Sequence, residues 1–195
     1  MGNMVTELET LPVNAMLKME GKEFTVQASI TFHELYQQSG SSQWIRRGKH
    51  SRGLVLNKNL LLIRIPKEEG GKYVWLKLLP REEAPTLQEF YKGGDSPGEW
   101  GPARRFAKQG QRGEVLYTLF GHRWMVKDIG AIEASVEGKS PWMSEGDRLH
   151  FVSSQHTDGM QWLLYLDARP GEASGTGGVF VGTEFNPVEL VEEVL

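Results

Sequence analysis

The side chains that could catalyse a reaction or bind a metal are thinly spread along this chain. The one G-x-S-x-G match, residues 94–98 (GDSPG), lies in a Gly/Pro-rich segment whose composition cannot sustain the strand and helix of a nucleophile elbow, so no serine nucleophile is named. His156 and Asp158 stand two positions apart in a polar turn, a pair that is typical of turn capping. No histidine stands in an H-E-x-x-H or H-x-H arrangement; the five are His33, His50, His122, His150 and His156. The pattern predicts no catalytic residue, no metal site and no cofactor.

One segment carries an unusual charge. Between Glu34 and Glu68 there are seven basic side chains and no acidic one. Clustered cations beside an aromatic anchor are typical of surfaces that meet phosphates, in anionic lipids or, less readily, in nucleic acids. The alternative is that these cations pair with acidic turns of the same protein. The candidate binding residues, all in a predicted flexible loop, are Trp44, Arg46, Arg47, Lys49 and Arg52.

The overall composition narrows the class of protein. The 195 residues include 22 basic and 25 acidic side chains, and the net charge of −3 gives no global reason to bind nucleic acid or anionic membranes. The absence of cysteine excludes disulfides and thiolate chemistry. Residues 1–10 lack the basic start and apolar run of a secretory signal, and the longest apolar run, residues 60–63, is too short to span a bilayer. We therefore expect a globular cytoplasmic protein.

The elements that must position any site are mostly strands. Apolar residues recur with period two between clusters of Gly, Pro, Asn, Asp and Ser, which predicts a mainly β protein. Helical patterns are confined to residues 31–38 and 86–92 and to the C-terminus, where Asn186 as N-cap and Pro187 as first helical residue predict a short helix over 188–195. The predicted core comprises Phe24, Val26, Trp75, Leu76 or Leu78, Trp124, Val126, Trp162 and Phe180.

The two halves of the sequence echo each other. Residues 17–26 match residues 117–126, with turns at Gly21 and Gly121, and the Trp-Leu pair at Trp75 recurs at Trp162. We interpret this as two similar small β-lobes, barrel- or sandwich-like, that form one compact body. The predicted organisation is a tail over 1–10, a first β-lobe over 11–89, a Gly/Pro-rich connection over 90–113, and a second β-lobe with the C-terminal helix over 114–195.

Several of these motifs resemble a known family. Residues 130–142 (GAIEASVEGKSPW), Gly146-Asp147, Trp162-Leu163 and residues 179–185 (VFVGTEF) are similar to a bacterial domain-of-unknown-function family of duplicated β-rich proteins found near phage-shock and membrane-stress genes. The likeness covers residues 11–190, although the basic segment 35–53 and the loose segment 171–178 depart from the family pattern. The resemblance implies a β-rich protein of the cytoplasm, peripheral to the inner membrane and active in envelope maintenance, with no catalytic residue to carry over.

Two classes of function remain open. The first is a non-catalytic binding or adaptor protein that contacts a protein partner, a membrane-associated complex or an anionic lipid surface. The alternative is an enzyme or small-ligand binder that uses a cleft between the lobes, lined by Trp100, Trp142 and a histidine such as His150. The first is favoured because it needs no motif that the sequence lacks. The sequence leaves the oligomeric state open.

Overall fold

A computed structural model describes residues 4–37, 40, 43–66, 73–81, 116–168 and 177–195. The chain is mainly β, as predicted, with two short helices among the described residues. In chain order the elements are α1 (Met4–Thr10), β1 (Met16–Met19), β2 (Lys22–Gln37), β3 (Trp44–Leu56), β4 (Leu60–Pro66), β5 (Tyr73–Pro80), β6 (Leu116–Leu119), β7 (His122–Gly138), β8 (Arg148–His156), β9 (Gln161–Ala168), β10 (Gly178–Phe185), α2 (Pro187–Leu190) and β11 (Val191–Val194).

Eight of the strands close a ring. Strands β2 to β5 pair consecutively, and so do strands β7 to β10. The two sets are joined by antiparallel pairing of β2 with β7 and of β5 with β10, which we call the two seams. Outside the ring, β1 pairs with β2 and β11, while β6 pairs with β7. Strands from both halves of the chain are therefore needed to close the ring.

Two local features recur in the strands β2 and β7. The hairpins β1–β2 and β6–β7 both turn at a glycine with positive φ, +72° at Gly21 and +73° at Gly121, a conformation that costs glycine little. The register also shifts in both long strands, between Val26 and Ala28 and between Val126 and Asp128. At the β2–β7 seam, position 33 faces position 133. Because β2 and β7 are antiparallel, the chain runs toward opposite ends of the ring in these two strands.

Apolar side chains form one core inside the ring and another outside it. The inner core includes Ile30, Phe32 and Phe180. The outer core lies on the external face of β3 and β4, where Leu54 and Leu62 pack with side chains from α1, β1 and β11. Every residue of the predicted core is buried, which confirms that prediction. Trp75, however, belongs to the outer core on β5 and Trp162 to the inner core on β9, so the two Trp-Leu pairs do not occupy corresponding places.

Three local predictions need correction. Residues 31–37 belong to strand β2 rather than to a helix, because they pair with β3 on one side and β7 on the other. The C-terminal helix begins as predicted, with the Asn186 side chain accepting a hydrogen bond from the Val188 amide, but it ends at Leu190. Residues 191–194 pair with β1 as strand β11. The expected N-terminal tail contains helix α1, whose Leu8 is 1% exposed in the outer core.

Some expectations fall outside the described residues. These are the helical segment 86–92, the Gly/Pro-rich connection 90–113 and most of the segment 171–178. In the part of the chain that the structure describes, no helix combines the length and apolar character needed to cross a membrane.

Candidate functional site

The interior of the ring contains a cavity of about 160 Å³. It lies toward the end of the ring where β2 finishes and β5 begins, which we call the open end. Most of its walls are apolar side chains of the inner face, among them Phe32, Ile132 and Phe151. Besides Tyr73, four of the lining residues carry a charge or a hydroxyl group: Glu34, Ser51, Asp128 and Ser153.

The irregularity in β7 directs Asp128 into the cavity. In a regular strand, residues two apart point to the same face of the sheet. An extra residue in the strand reverses that relation. Strand β2 is an example: Val26 lies in the outer core and Ala28 lies in the inner core, and the register shift falls between them. The corresponding shift in β7 precedes Asp128, which lines the cavity.

Glu34 reaches the cavity by ordinary strand alternation. It follows Ile30 and Phe32 on the inward face of β2. Its carboxylate lies 3.6 Å from a guanidinium nitrogen of Arg47, and 38% of its side chain is exposed. The Arg47 guanidinium also stacks over the ring of Tyr36 at 4.9 Å. Glu34 therefore stands at the mouth of the cavity, between its apolar interior and solvent.

The opposite end of the ring is filled by protein. The loop after β7 inserts Trp142 and Met143, which are 7% and 1% exposed, into the inner core. The Trp142 ring packs edge-on against Phe180 with centroids 4.8 Å apart. The buried Asp147 carboxylate accepts a hydrogen bond of 2.8 Å from the Ser144 amide, which fixes the loop. We call this the closed end.

The two ends differ in chemistry at corresponding positions. The residues 100 positions away from Glu34 and Asp128 are Ala134 and Ala28, which lie farther along the β2–β7 seam, opposite Phe32 and Gly138. Ser51 on β3 pairs with position 32, and Leu149 on β8 pairs with position 132, so these two residues match. In the same way, Val55 pairs with position 28 and matches Ser153, which pairs with position 128. All four counterparts at the closed end are buried in the inner core: Ala28, Val55, Ala134 and Leu149. At these four described positions the residue beside the cavity is polar and its counterpart is apolar.

The sequence-predicted binding residues lie on strand β3 rather than in a loop. Trp44 is partly buried and packs edge-on against His150. Arg46 and Arg47 are more than half exposed, but Arg46 pairs with Glu133 and Arg47 with Glu34. The side chain of Lys49 falls outside the described structure. Arg46 and Arg47 therefore pair with acidic residues of the same protein, which is the alternative that the sequence left open.

Glu133 is the centre of a charge cluster on the outer face. It accepts hydrogen bonds from Arg46 on β3 and, at 3.1 Å, from Nε of Arg148 on β8. Desolvation acts to raise the pKa of the Glu133 carboxyl, but the hydrogen bonds and charges of the two arginines outweigh it and hold the pKa below its usual range. The cluster thus ties together strands on both sides of the β2–β7 seam.

Arg52 anchors the N-terminal helix to the ring. Its guanidinium donates a 2.9 Å hydrogen bond to the carbonyl oxygen of Leu11, just after α1. Desolvation by burial and the charge of Arg64 lower the pKa of Arg52, against the opposing effects of Glu137 and Glu9. Arg64 itself pairs with Glu9 of α1. This arrangement gives Arg52 a structural role.

Two histidines that are distant in the sequence meet at the hairpin turns. His122 Nδ1 lies 3.3 Å from His156 Nε2, and His156 Nδ1 lies 2.9 Å from the Asp158 carboxylate. A hydrogen bond from the Met160 amide lowers the pKa of Asp158, and His156 adds to that effect. Both imidazoles also pack edge-on near Trp124. Within the described ranges, no group of three or more potential metal ligands occurs.

The residues proposed for an inter-lobe cleft are not brought together. Trp142 fills the closed end, while His150 lies beside Trp44 on the outer face. Trp100 is outside the described residues. The cavity instead uses four residues that the sequence analysis did not single out: Glu34, Ser51, Asp128 and Ser153. The sequence signal that could have identified these residues is a polar side chain at an inward-facing position of a strand. For Glu34 this signal could not be used, because residues 31–38 were interpreted as a helix.

Comparisons with known proteins identified no relative. No family model matches the chain, and neither a curated protein nor a solved structure matches it significantly. The resemblance to the membrane-stress family therefore stays a prediction.

Proposed function

We propose that the protein is a non-catalytic binding protein that holds a small organic molecule in the cavity at the open end of the ring. The observation that carries this proposal is the chemical difference between the two ends. At the closed end the matching residues are buried alanine, valine and leucine. The open end has two carboxylates and two hydroxyls there instead.

Polar side chains line an otherwise apolar cavity here, and the carboxylate of Glu34 remains 38% exposed beside Arg47 at its mouth. A mostly apolar cavity with a few convergent polar groups is the usual construction of a small-molecule site. Binding of a ligand would explain why polar side chains line the cavity at the open end, where the matching positions at the closed end are apolar.

The lining favours binding over catalysis. Ser51 and Ser153 are the hydroxyl residues with the potential to act as nucleophiles, and activation of a serine requires an adjacent base. The described lining contains no histidine, so Glu34 and Asp128 are the bases that an enzyme would have to use. We favour binding because it needs no such pairing of nucleophile and base.

Ser51→Leu is the test variant because it places at the open end the side chain found at its counterpart, Leu149. We expect it to occupy the cavity without disturbing the ring. Thr183→Leu, on an exposed position of β10, is the matched control. A library of fragments of about ten non-hydrogen atoms is screened by ligand-observed NMR, where affinities near the millimolar range are expected for ligands this small. Fragments should bind the wild type and the control but not Ser51→Leu. The proposal is refuted if no fragment binds, or if the bound fragments bind Ser51→Leu equally well.

A second candidate is an adaptor role at an anionic protein or membrane surface. It is favoured by the exposure of Arg46 and Arg47, whose side chains remain 53% and 54% accessible despite their ion pairs. Each cation near an anionic membrane contributes about 1 kcal/mol before screening by salt. Such contact would suit a cytoplasmic protein peripheral to the inner membrane in an envelope-stress response, with nucleic acid a less favoured partner.

The adaptor role is tested without touching the structural Arg52. The double variant Arg47→Ser with Lys49→Ser is compared with Lys22→Ser with Lys139→Ser, which removes two exposed cations elsewhere. In flotation with vesicles containing phosphatidylserine, the first pair should lose salt-sensitive association and the second should keep it. Equal flotation of both double variants excludes Arg47 and Lys49 as membrane contacts.

A further inference from the structure

We infer that the ligand of the open-end cavity is an uncharged alcohol or phenol about the size of a benzene ring, and that the hydroxyl of Ser153 recognises it. The inference rests on the proposed binding function and specifies its ligand class. It follows from the burial of Ser153, from the pairing of the charged lining residues and from the size of the cavity.

Ser153 supplies a buried hydroxyl to the wall of the cavity. It is 5% exposed and lines the cavity from strand β8. No hydrogen bond joins its side chain to another residue in the part of the chain that the structure describes. Most buried polar side-chain atoms have a hydrogen-bond partner, either in the protein or in a bound molecule. The Ser153 hydroxyl is therefore available to a ligand inside the ring.

The strand register places a carboxylate beside this hydroxyl. Ser153 lies directly opposite Asp128 on β7 and opposite Leu164 on β9, and both of these residues also line the cavity. Directly opposed residues of antiparallel strands have Cβ atoms about 4.5–5.5 Å apart. A ligand hydroxyl can accept a hydrogen bond from Ser153 and donate one to Asp128, whereas a ketone or ether oxygen only accepts. The pair therefore favours a ligand with a hydroxyl group.

The charged residues of the lining already have partners. Glu34 is paired with Arg47 at the mouth, and Asp128 also takes part in an interaction within the protein. An ionic ligand would lose its hydration on entry and would regain little free energy from carboxylates that are already engaged. An anion would in addition be repelled by both carboxylates. A neutral hydroxyl is still accommodated, because an ionised carboxylate accepts up to about four hydrogen bonds.

The size of the cavity limits the rest of the ligand. A buried apolar cavity of about 150 Å³ accommodates benzene, and this cavity measures about 160 Å³. Its wall includes the apolar side chains of Phe32, Ile132 and Phe151. One aromatic or alicyclic ring with a single hydroxyl group fits this volume.

Four probes with one benzene ring test the charge and the hydroxyl separately: phenol, toluene, benzylammonium and benzoate. Phenol and toluene differ only in a hydroxyl that replaces a methyl group. Dissociation constants are measured by protein-observed NMR titration of the full chain at pH 7. We expect phenol to bind at least ten times more tightly than benzylammonium or benzoate. Equal or tighter binding of either ion overturns the assignment of an uncharged ligand.

Removal of the Ser153 hydroxyl locates the recognition. Ser153→Ala should weaken the binding of phenol about tenfold and leave toluene unchanged, because toluene cannot form the lost hydrogen bond. Ser29→Ala is the matched control, since Ser29 is 7% exposed but is not among the described residues that line the cavity; it should change neither affinity. If Ser153→Ala fails to fold, the nearly isosteric Ser153→Cys, whose thiol is a weak hydrogen-bonding group, makes the same comparison. An unchanged phenol affinity, or an equal loss for phenol and toluene, contradicts the role of Ser153.

The two proposals fail in different ways. If only toluene or the ions bind the wild type and are lost in Ser51→Leu, the cavity function stands and the alcohol or phenol class is overturned. If neither phenol nor any fragment binds, both proposals fall together.

Discussion

Closure of the ring depends on a glycine at the β5–β10 seam. Gly182 faces Leu78 across this seam. A Cβ atom at position 182 would lie 1.8 Å from the carbonyl oxygen of Lys77 and 2.8 Å from its carbonyl carbon. Ordinary C···O contacts are about 3.3 Å or longer, so Gly182→Ala must push the two strands apart by about 1.5 Å at this point. Since the obstructing atoms belong to the backbone, no side-chain movement can relieve the contact.

The cost follows from what the separation disrupts. Two interstrand hydrogen bonds contribute about 1 kcal/mol each, and forcing extra volume into a packed region costs about 1–3 kcal/mol. We expect Gly182→Ala to lower the free energy of unfolding by about 3–5 kcal/mol, a large fraction of the typical total of about 5–15 kcal/mol.

Urea unfolding followed by tryptophan fluorescence measures this loss. Gly21→Ala is the control, because its Cβ would meet nothing within 4 Å and only the positive φ of +72° opposes it, a cost of about 1–2 kcal/mol. If Gly182→Ala is destabilised no more than Gly21→Ala, the close approach of β5 and β10 at this seam is wrong.

Three further perturbations test other parts of the molecule. Trp124→Ala should destabilise by about 3–5 kcal/mol because the side chain is 1% exposed; a melting temperature like that of the wild type would contradict its burial. Trp142→Ala should cost a similar amount and open the closed end, and millimolar indole should restore part of the lost melting temperature, whereas an indole-insensitive variant would argue against a plug at this position. Glu133→Gln should lower the free energy of unfolding at pH 7 by about 1–2 kcal/mol, a value already reduced for solvent screening at Arg46 and Arg148. Because the pKa of Glu133 is lowered in the folded state, its stabilisation is present above the unfolded-state value of about 4.3 and is lost as pH falls through the lower folded value. The difference between variant and wild type should therefore shrink steadily as pH falls below about 4.3; a difference that stays constant in acid is the contrary result.

The prediction of local structure succeeded where short-range chemistry decides the conformation. Alternating apolar residues and a glycine turn were sufficient to predict the hairpin at Gly21 and the burial of Phe24 and Val26. The N-cap role of Asn186 was equally readable, because the capping hydrogen bond joins residues two positions apart. The helix that it begins could not be bounded in this way, since residues 191–194 gain hydrogen bonds from β1, far away in the sequence.

The segment 31–38 illustrates the opposite case. Phe32, Leu35 and Tyr36 have helical spacing, yet the segment through residue 37 is a strand because β3 and β7 supply backbone partners on both of its sides. Its inward and outward faces became defined only when the ring closed. No local pattern therefore marked Glu34 as inward-facing, although the structure places it at the mouth of a cavity.

The amino-acid sequence by itself determined the mainly β class, the glycine turns and the residues that are buried, since each depends on the preferences of neighbouring residues and on hydrophobic period. Only the tertiary structure decided which buried residues face the ring interior, that Arg46 and Arg47 meet Glu133 and Glu34, and that a cavity joins Glu34 to Asp128. These features arise from strand pairs about 100 residues apart in the chain, and a local pattern contains no information about which distant strand will supply the partner.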